Sequence, residues 1–340
     1  DLVTDQDRSP SLVPAEVSDR LEQALFEIRR VIAGQDAMLE RVLVCLLAQG
    51  HLLIEGVPGL AKTLTIKTAA SVLGGSFARI QFTPDLVPAD LVGTRIYRPD
   101  KSEFDTELGP VFCNFLLADE INRAPAKVQS ALLEVMQERH VTIAHTTYPV
   151  PEPFLVLATQ NPIESEGTYP LPEAQIDRFM LKILIGYPEH DEELTIVQRQ
   201  LTAHPELREV LSLDELRMLQ AEVGRIYVDP ALVSYAVALA TATRDPQGAG
   251  LGDLAGYVDY GASPRGPIAV TQAARALALL RGRDYATADD VRALAKDALR
   301  HRLVLSYQAL AENVSADAIL DRVLAAVPVP EVSTARPAVA

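Results

Sequence analysis

The run His51–Leu64, HLLIEGVPGLAKTL, constrains the fold more than any other stretch of the chain. Apolar, strand-type residues lead into a loop that holds Gly56, Pro58 and Gly59. The loop ends on Lys62-Thr63, where the helical pattern Leu64–Leu73 begins. A strand, a glycine-bearing loop and a helix in this order form a phosphate cradle. Backbone N–H groups surround the anion, a lysine reaches its outer oxygens, and a hydroxyl takes a magnesium ion. The helix adds the positive end of its dipole. The general pattern G-x-x-x-x-G-K-[ST] asks for glycine at 61, where this chain has Ala61. The candidate nucleotide contacts are therefore Gly56, Pro58, Gly59, Leu60, Ala61, Lys62, Thr63 and Leu64.

Four further apolar runs follow the first (His51–Glu55): Phe77–Phe82, Asn114–Ala118, Phe154–Thr159 and Met180–Ile185. They are apolar almost throughout rather than at alternate positions, as strands buried on both faces are. Helical or irregular segments separate them, which predicts right-handed crossovers and a parallel sheet. Before them, Leu21, Leu25 and Ile28, then Met38, Val42, Cys45 and Leu46, fit two amphipathic helices broken at Ala33-Gly34-Gln35. After Gly186-Tyr187-Pro188 the pattern turns helical, with capping boxes at Ser212–Glu215 and Thr287–Asp290. Glycines 248, 250, 252, 256 and 261 predict a loop over Asp245–Gly261. The expected organisation is an N-terminal tail (1–14), an α/β nucleotide-binding core (15–187), an all-α lid domain (188–327) and a C-terminal tail (328–340). A chain of 340 residues suits two such domains.

Composition narrows the function. The formal net charge of −15 makes the chain a poor default binder of nucleic acid. No apolar run approaches the roughly 20 residues of a membrane span. The polar, acidic N-terminus does not read as a signal peptide, and Cys45 and Cys113 read as buried thiols suited to a reducing cytoplasm.

Three groups of residues extend the phosphate loop into a candidate site. Phe115–Asp119 is an apolar strand that ends in Asp119-Glu120: the first carboxylate can hold magnesium beside the Thr63 hydroxyl, and the second can polarise an attacking water. An acidic turn after a strand would look the same locally. Val156–Thr159 leads to Asn161, a donor at the sheet edge where ligands of open α/β sheets bind. Arg178 precedes the last strand, and Arg265 opens a helix in the second domain, where an arginine opposes the helix dipole unless an anion is near.

The motifs GVPGLAKT (56–63), QFTPDLVPADLVG (81–93), LLADEINRA (116–124), ATQNPIESEGTYPLPEAQIDRF (158–179) and GASPRG (261–266) together resemble an AAA+ ATPase of the MoxR family, in which alanine also precedes the lysine. The resemblance runs from about Glu16 to Arg302. It implies a five-stranded parallel sheet flanked by helices, with a helical lid behind it. It places Lys62 and Thr63 in the Walker A motif, and Asp119 and Glu120 in the Walker B motif. Asn161 becomes sensor 1, Arg178 an arginine finger acting on the neighbouring subunit's ATP, and Arg265 a sensor 2 reaching the γ-phosphate of its own subunit. Arg123 becomes a second boundary arginine. Val31–Gln35, with Ile32 and Gly34, takes the place of an adenine contact. Residues 85–109 become an insert in the core, and 141–152 a hairpin before sensor 1. The resemblance further implies ATP and Mg2+ as ligands, a hexameric ring, and chaperone-like remodelling of client proteins together with von Willebrand factor A domain partners. A DNA-dependent motor and a nucleotide-gated scaffold are the competing functions.

Overall fold

The computed structural model describes residues 14–32, 35–56, 62–162, 167–201 and 206–334. Two helices open it: α1 (Pro14–Arg29) and α2 (Asp36–Leu47). The strands then follow in chain order as β1 (Leu52–Gly56), β2 (Phe77–Gln81), the hairpin β3 (Gly93–Arg98) and β4 (Glu103–Leu108), β5 (Phe115–Asp119), the hairpin β6 (His140–Ile143) and β7 (Thr146–Pro149), β8 (Leu155–Gln160) and β9 (Leu181–Ile185). Between them lie α3 (Lys62–Val72), α4 (Pro88–Val92), α5 (Ala126–Glu138) and the short α6 (Glu173–Ile176).

β2, β5, β8, β1 and β9 form one sheet in that order, every pair parallel. Successive residues face opposite layers, so both faces must be apolar. Leu52 and Ile54 point into a core shared with α1, α2 and α3, whereas Leu53 points to the other side. Phe115 and Leu117 against Leu116 and Ala118 divide the same way, as do Leu155 and Leu157 against Val156 and Ala158. The second layer is built from α5 and the residues flanking the hairpins, including Phe82, Leu91, Val141 and Phe154. The expected insert at 85–109 is α4 with the β3–β4 hairpin, whose Tyr97 and Phe104 are exposed. The hairpin expected at 141–152 is β6–β7, at 140–149.

Beyond β9 come α7 (His190–Gln200), α8 (Leu213–Val223), α9 (Pro230–Arg244), α10 (Arg265–Leu280), α11 (Ala288–Leu299), α12 (Tyr307–Ala311) and α13 (Ala316–Ala326). Ser212 and Thr287 each accept the backbone N–H three residues on, and Glu215 and Asp290 complete the capping boxes. Asp290 does more than cap: Arg283 also grips this fully buried carboxylate through two bonds of 2.6 and 2.8 Å. The lid helices share the apolar core of α1 and α2, so lid and sheet are packed as one body on that side.

One expectation fails. The stretch Asp245–Gly261 is not all loop: it holds a 3-10 turn, Gly252–Leu254, and β10 (Val258–Tyr260), which pairs antiparallel with β11 (Val304–Leu305). The partner strand lies more than forty residues away, so local glycine content could not reveal the pairing. Of the two expected tails, residues 1–13 and 335–340 lie outside the described residues, and 328–334 keeps contact with the lid. Val332 packs against the lid core, and the Ser333 N–H donates to the Asp229 carboxylate at 2.8 Å.

Candidate functional site

The carboxyl ends of β1, β5 and β8 converge on Lys62. Gly56 closes β1 so tightly against β9 that a β-carbon there would meet the Ile185 carbonyl oxygen at 2.5 Å. The Lys62 ammonium, on the first residue of α3, donates to the Gly56 carbonyl at 3.1 Å. Burial pulls its pKa below the ordinary lysine value, while Asp119 and Glu120 push it back up. One cation and two carboxylates thus share a partly dehydrated space, with Thr63 and Leu64 following in the same helical turn. Pro58, Gly59, Leu60 and Ala61, and also Gly34, lie outside the described residues.

Asp119 is oriented from two sides. The Thr159 hydroxyl donates to its Oδ1 at 2.6 Å, and the Arg79 guanidinium, from edge strand β2, donates to its Oδ2 at 2.7 Å. The same Thr159 oxygen accepts the Glu120 N–H at 2.8 Å. That bond holds Glu120 in the left-handed backbone region (φ 55°), which turns its carboxylate away from the strand direction. Arg123 donates to the Glu120 Oε2 at 3.1 Å, so the arginine expected at a subunit boundary is paired within this chain. Asn161 follows β8 directly, and its carbonyl accepts from the Asn122 amide at 3.3 Å.

The residues fit a magnesium nucleotide. Among the described residues no cluster of three or more His, Cys, Asp or Glu could hold a metal alone. One carboxylate and one hydroxyl, with phosphate oxygens and water supplying the rest, is the ligation magnesium uses in such sites. Next to Ile185, a cavity of about 450 Å³ is lined by Gln35, Asp36, Met38, Gly186, Tyr187 and Pro188, among others. Gln35 thus stands where a base could lodge, whereas Ile32 is buried in the core at 4% exposure.

The arginines are elsewhere. Arg178 and Arg265 line a second cavity, about 310 Å³, together with Arg139, Arg302 and Gln49–His51. His51 immediately precedes β1, and its carbonyl accepts the Met180 N–H just before β9. This cavity therefore lies at the amino end of the sheet. β1 has five residues, which at about 3.3 Å each put roughly 17 Å between its two ends. Arg265 cannot reach a phosphate at Lys62 of its own chain in this arrangement. The expected action within one subunit is corrected: Arg265 stands beside Arg178, on the opposite side from Lys62, because α10 packs against the residues that lead into β9.

Sequence reasoning missed Arg79, Arg139 and Arg302. The partners that make them interesting lie 40 to 125 residues away, and no local pattern marks them. Thr159 carried a signal, a hydroxyl at the end of an apolar strand, but not its double bond.

Residues 51–181 match the ATPase family associated with various cellular activities (AAA), and residues 254–323 match the AAA lid domain. Chaperone MoxR1 of Mycobacterium tuberculosis is 58% identical over 313 residues, covering 92% of this chain and 83% of that protein. The chain belongs to the MoxR family of AAA+ ATPases. Protein MoxR of Paracoccus denitrificans is 32% identical over 92% of this chain and 96% of that protein. The crystal structure of a candidate ATPase from Cytophaga hutchinsonii superimposes with a TM-score of 0.89 at 45% identity, covering 94% of this chain and 97% of that one. The core and lid seen here are thus the AAA+ arrangement of a MoxR-family chain. No helix among its described residues is long and apolar enough to cross a membrane.

Proposed function

We propose that this MoxR-family chain hydrolyses ATP in an assembled ring, most simply a hexamer, and uses the cycle for chaperone-like remodelling of client proteins. The observation that carries the reading is the division of the candidate site. Lys62, Thr63, Asp119, Glu120 and Asn161 gather at one end of the sheet, and Arg178 and Arg265 at the other. Stacking two copies head to tail sets the arginines of one against the phosphates of the next.

In this reading Lys62 and the N-terminal turn of α3 hold the phosphates. Thr63 and Asp119 would hold Mg2+, which when bound screens the charge on the phosphate oxygens. Glu120, held off the strand axis by Thr159, takes the proton of the attacking water. Asn161 orients that water or the γ-phosphate. Arg178 and Arg265 of the neighbouring copy stabilise the charge of the transferring group, a contribution of about 10³–10⁵ in GTPases. Loss of the γ-phosphate removes the bridge between copies and so couples chemistry to motion. Client proteins presented with von Willebrand factor A domain partners, in the cytoplasm, complete the proposal. The net charge of −15 disfavours a DNA-driven motor.

The test is a set of variants in a steady-state ATPase assay. Lys62→Ala should lose nucleotide binding. Glu120→Gln and Arg178→Ala should each bind ATP without turning it over, and mixing the two should restore activity. Wild-type turnover by Arg178→Ala, or by a demonstrably monomeric preparation, would refute the divided site. Full client remodelling by Glu120→Gln would replace the motor with a nucleotide-gated scaffold. DNA stimulation that falls steeply with salt would revive the DNA motor.

A further inference from the structure

Arg302 makes five side-chain hydrogen bonds, four of them to the segment that leads into β9. Its side chain is 3% exposed. Nε donates to the Asp177 Oδ1 at 2.7 Å. Nη2 donates to the carbonyls of Asp177 and Phe179 at 3.0 and 2.8 Å. Nη1 donates to the Met180 carbonyl at 3.1 Å and to the carbonyl of Ala298 in the preceding helix α11. Its two neighbours in the 3-10 turn Arg300–Arg302 hold the same segment. The His301 ring bonds the Phe179 carbonyl at 2.9 Å, and Arg300 donates to the carbonyl of Lys182. The whole turn therefore grips residues 177–182, the stretch that carries Arg178 into β9.

Asp177 is gripped from the lid a second time. The Ser263 hydroxyl reaches both of its carboxylate oxygens, at 2.9 and 3.2 Å, and also accepts the Arg265 N–H at 3.2 Å. The Arg265 guanidinium stands 3.9 Å from Asp177 Oδ2. Gly266 lets the first turn of α10 press onto this joint. A β-carbon there would meet Leu299 at 2.8 Å and Ala262 and Arg302 at 3.4 and 3.5 Å. One carboxylate thus bonds the segments that carry the half-buried Arg178 and the exposed Arg265, although Asp177 and Ser263 are 86 residues apart.

We propose that Asp177 and Arg302 are positioning residues. They preassemble Arg178 and Arg265 into one rigid two-arginine element, so that the lid and the finger segment are offered to a neighbouring ATP together. This inference rests on the divided-site reading above. A pair of cations aimed at one phosphoryl group must be placed to within a fraction of an ångström, and a displacement of 1 Å can cost about 10²-fold in rate. Burial of a guanidinium with five acceptors is a strong means of setting that distance, because its planar fork accepts few geometries. Neither residue touches nucleotide in its own chain.

The experiment compares Asp177→Asn, Ser263→Ala and Arg302→Lys with Arg178→Ala, each alone and mixed with Glu120→Gln. Binding of a fluorescent ATP analogue and thermal unfolding are recorded for every variant. Asp177→Asn should lower kcat by about 10²-fold while the affinity of its own Walker site changes less than twofold. Mixing with Glu120→Gln, whose arginine pair is intact, should restore activity, since a subunit with a disordered pair still owns a competent Walker site. Ser263→Ala should act in the same direction with a smaller loss. It keeps the test open should Arg302→Lys fail to fold. Unchanged kcat in folded Asp177→Asn overturns the proposal. So does a loss that Glu120→Gln does not rescue when it does rescue Arg178→Ala, because the defect then lies in the variant's own site. Rescue of neither variant removes the divided-site reading itself, and the proposal with it.

Discussion

Replacing Thr159 by valine removes one oxygen and almost no volume, yet that oxygen serves two parts of the candidate site. It is 2% exposed, donates to the Asp119 carboxylate at 2.6 Å and accepts the Glu120 N–H at 2.8 Å. The first bond, to a charged group, is worth about 1.5–3 kcal/mol, and the second about 0.5–1.5 kcal/mol. The left-handed backbone of Glu120 itself costs about 1–3 kcal/mol and persists only while its surroundings enforce it. Valine keeps the strand propensity and gains a buried methyl, which offsets part of the loss. The net destabilisation should be about 2–3 kcal/mol, a fall of roughly 3–4 °C in Tm by calorimetry. Catalysis should suffer more. With Asp119 held only by Arg79, and Glu120 free to relax toward ordinary backbone angles, kcat should drop by about 10²-fold. ATP affinity, which the proposed function assigns to Lys62, should change little. Thr159→Ser keeps the hydroxyl and should recover most of both quantities. Unchanged kcat in a folded Thr159→Val variant refutes the claim that this hydroxyl sets the geometry of the two carboxylates.

Gly56→Ala should weaken both stability and nucleotide binding: its β-carbon would lie 2.5 Å from the Ile185 carbonyl, so β1 and β9 must separate at the strand end that accepts Lys62. Overpacking of this kind costs about 1–3 kcal/mol, read from urea unfolding. Acidification should destabilise the chain before its carboxylates titrate. Buried His51 accepts the Val156 N–H at 2.9 Å, and burial lowers its pKa from 6.5 to about 3. The unfolded chain alone takes up that proton, so the contribution is complete above pH 6.5 and is lost as pH falls toward 3. The slope is about 1.4 kcal/mol per pH unit from this group. A urea midpoint that stays flat from pH 7 to pH 5 contradicts this. Cys45 and Cys113 are buried, with thiol pKa values pushed up, in the case of Cys113 to about 12. Both should resist a thiol reagent in the native state and react only when denaturant unfolds the chain.

Much of the core was legible because its signals are local. A strand buried on both faces must be apolar at every position, and Leu52–Ile54, Phe115–Ala118 and Leu155–Ala158 are. The capping boxes at Ser212 and Thr287 need only residues three apart. The pairing of Val258–Tyr260 with Val304–Leu305 was illegible for the opposite reason: nothing within either segment names the other. The same holds for residues 328–334, whose anchor, Asp229, lies about a hundred residues back.

The sequence by itself determined which residues are candidates for the chemistry and in what order they occur. The strand pattern up to Gly56 and the helix pattern from Lys62 mark one end of the site, and strand ends mark Asp119, Glu120 and Asn161 at the same end of the sheet. Only the tertiary structure decided which of those residues meet. It set Arg265 beside Arg178, away from Lys62, because α10 and the turn Arg300–Arg302 pack on the segment before β9. It also gave Thr159 its two partners and Asp177 its grip on both arginine segments. Distance along a chain does not limit a hydrogen bond, and a short motif holds no record of a contact made across 86 or 125 residues.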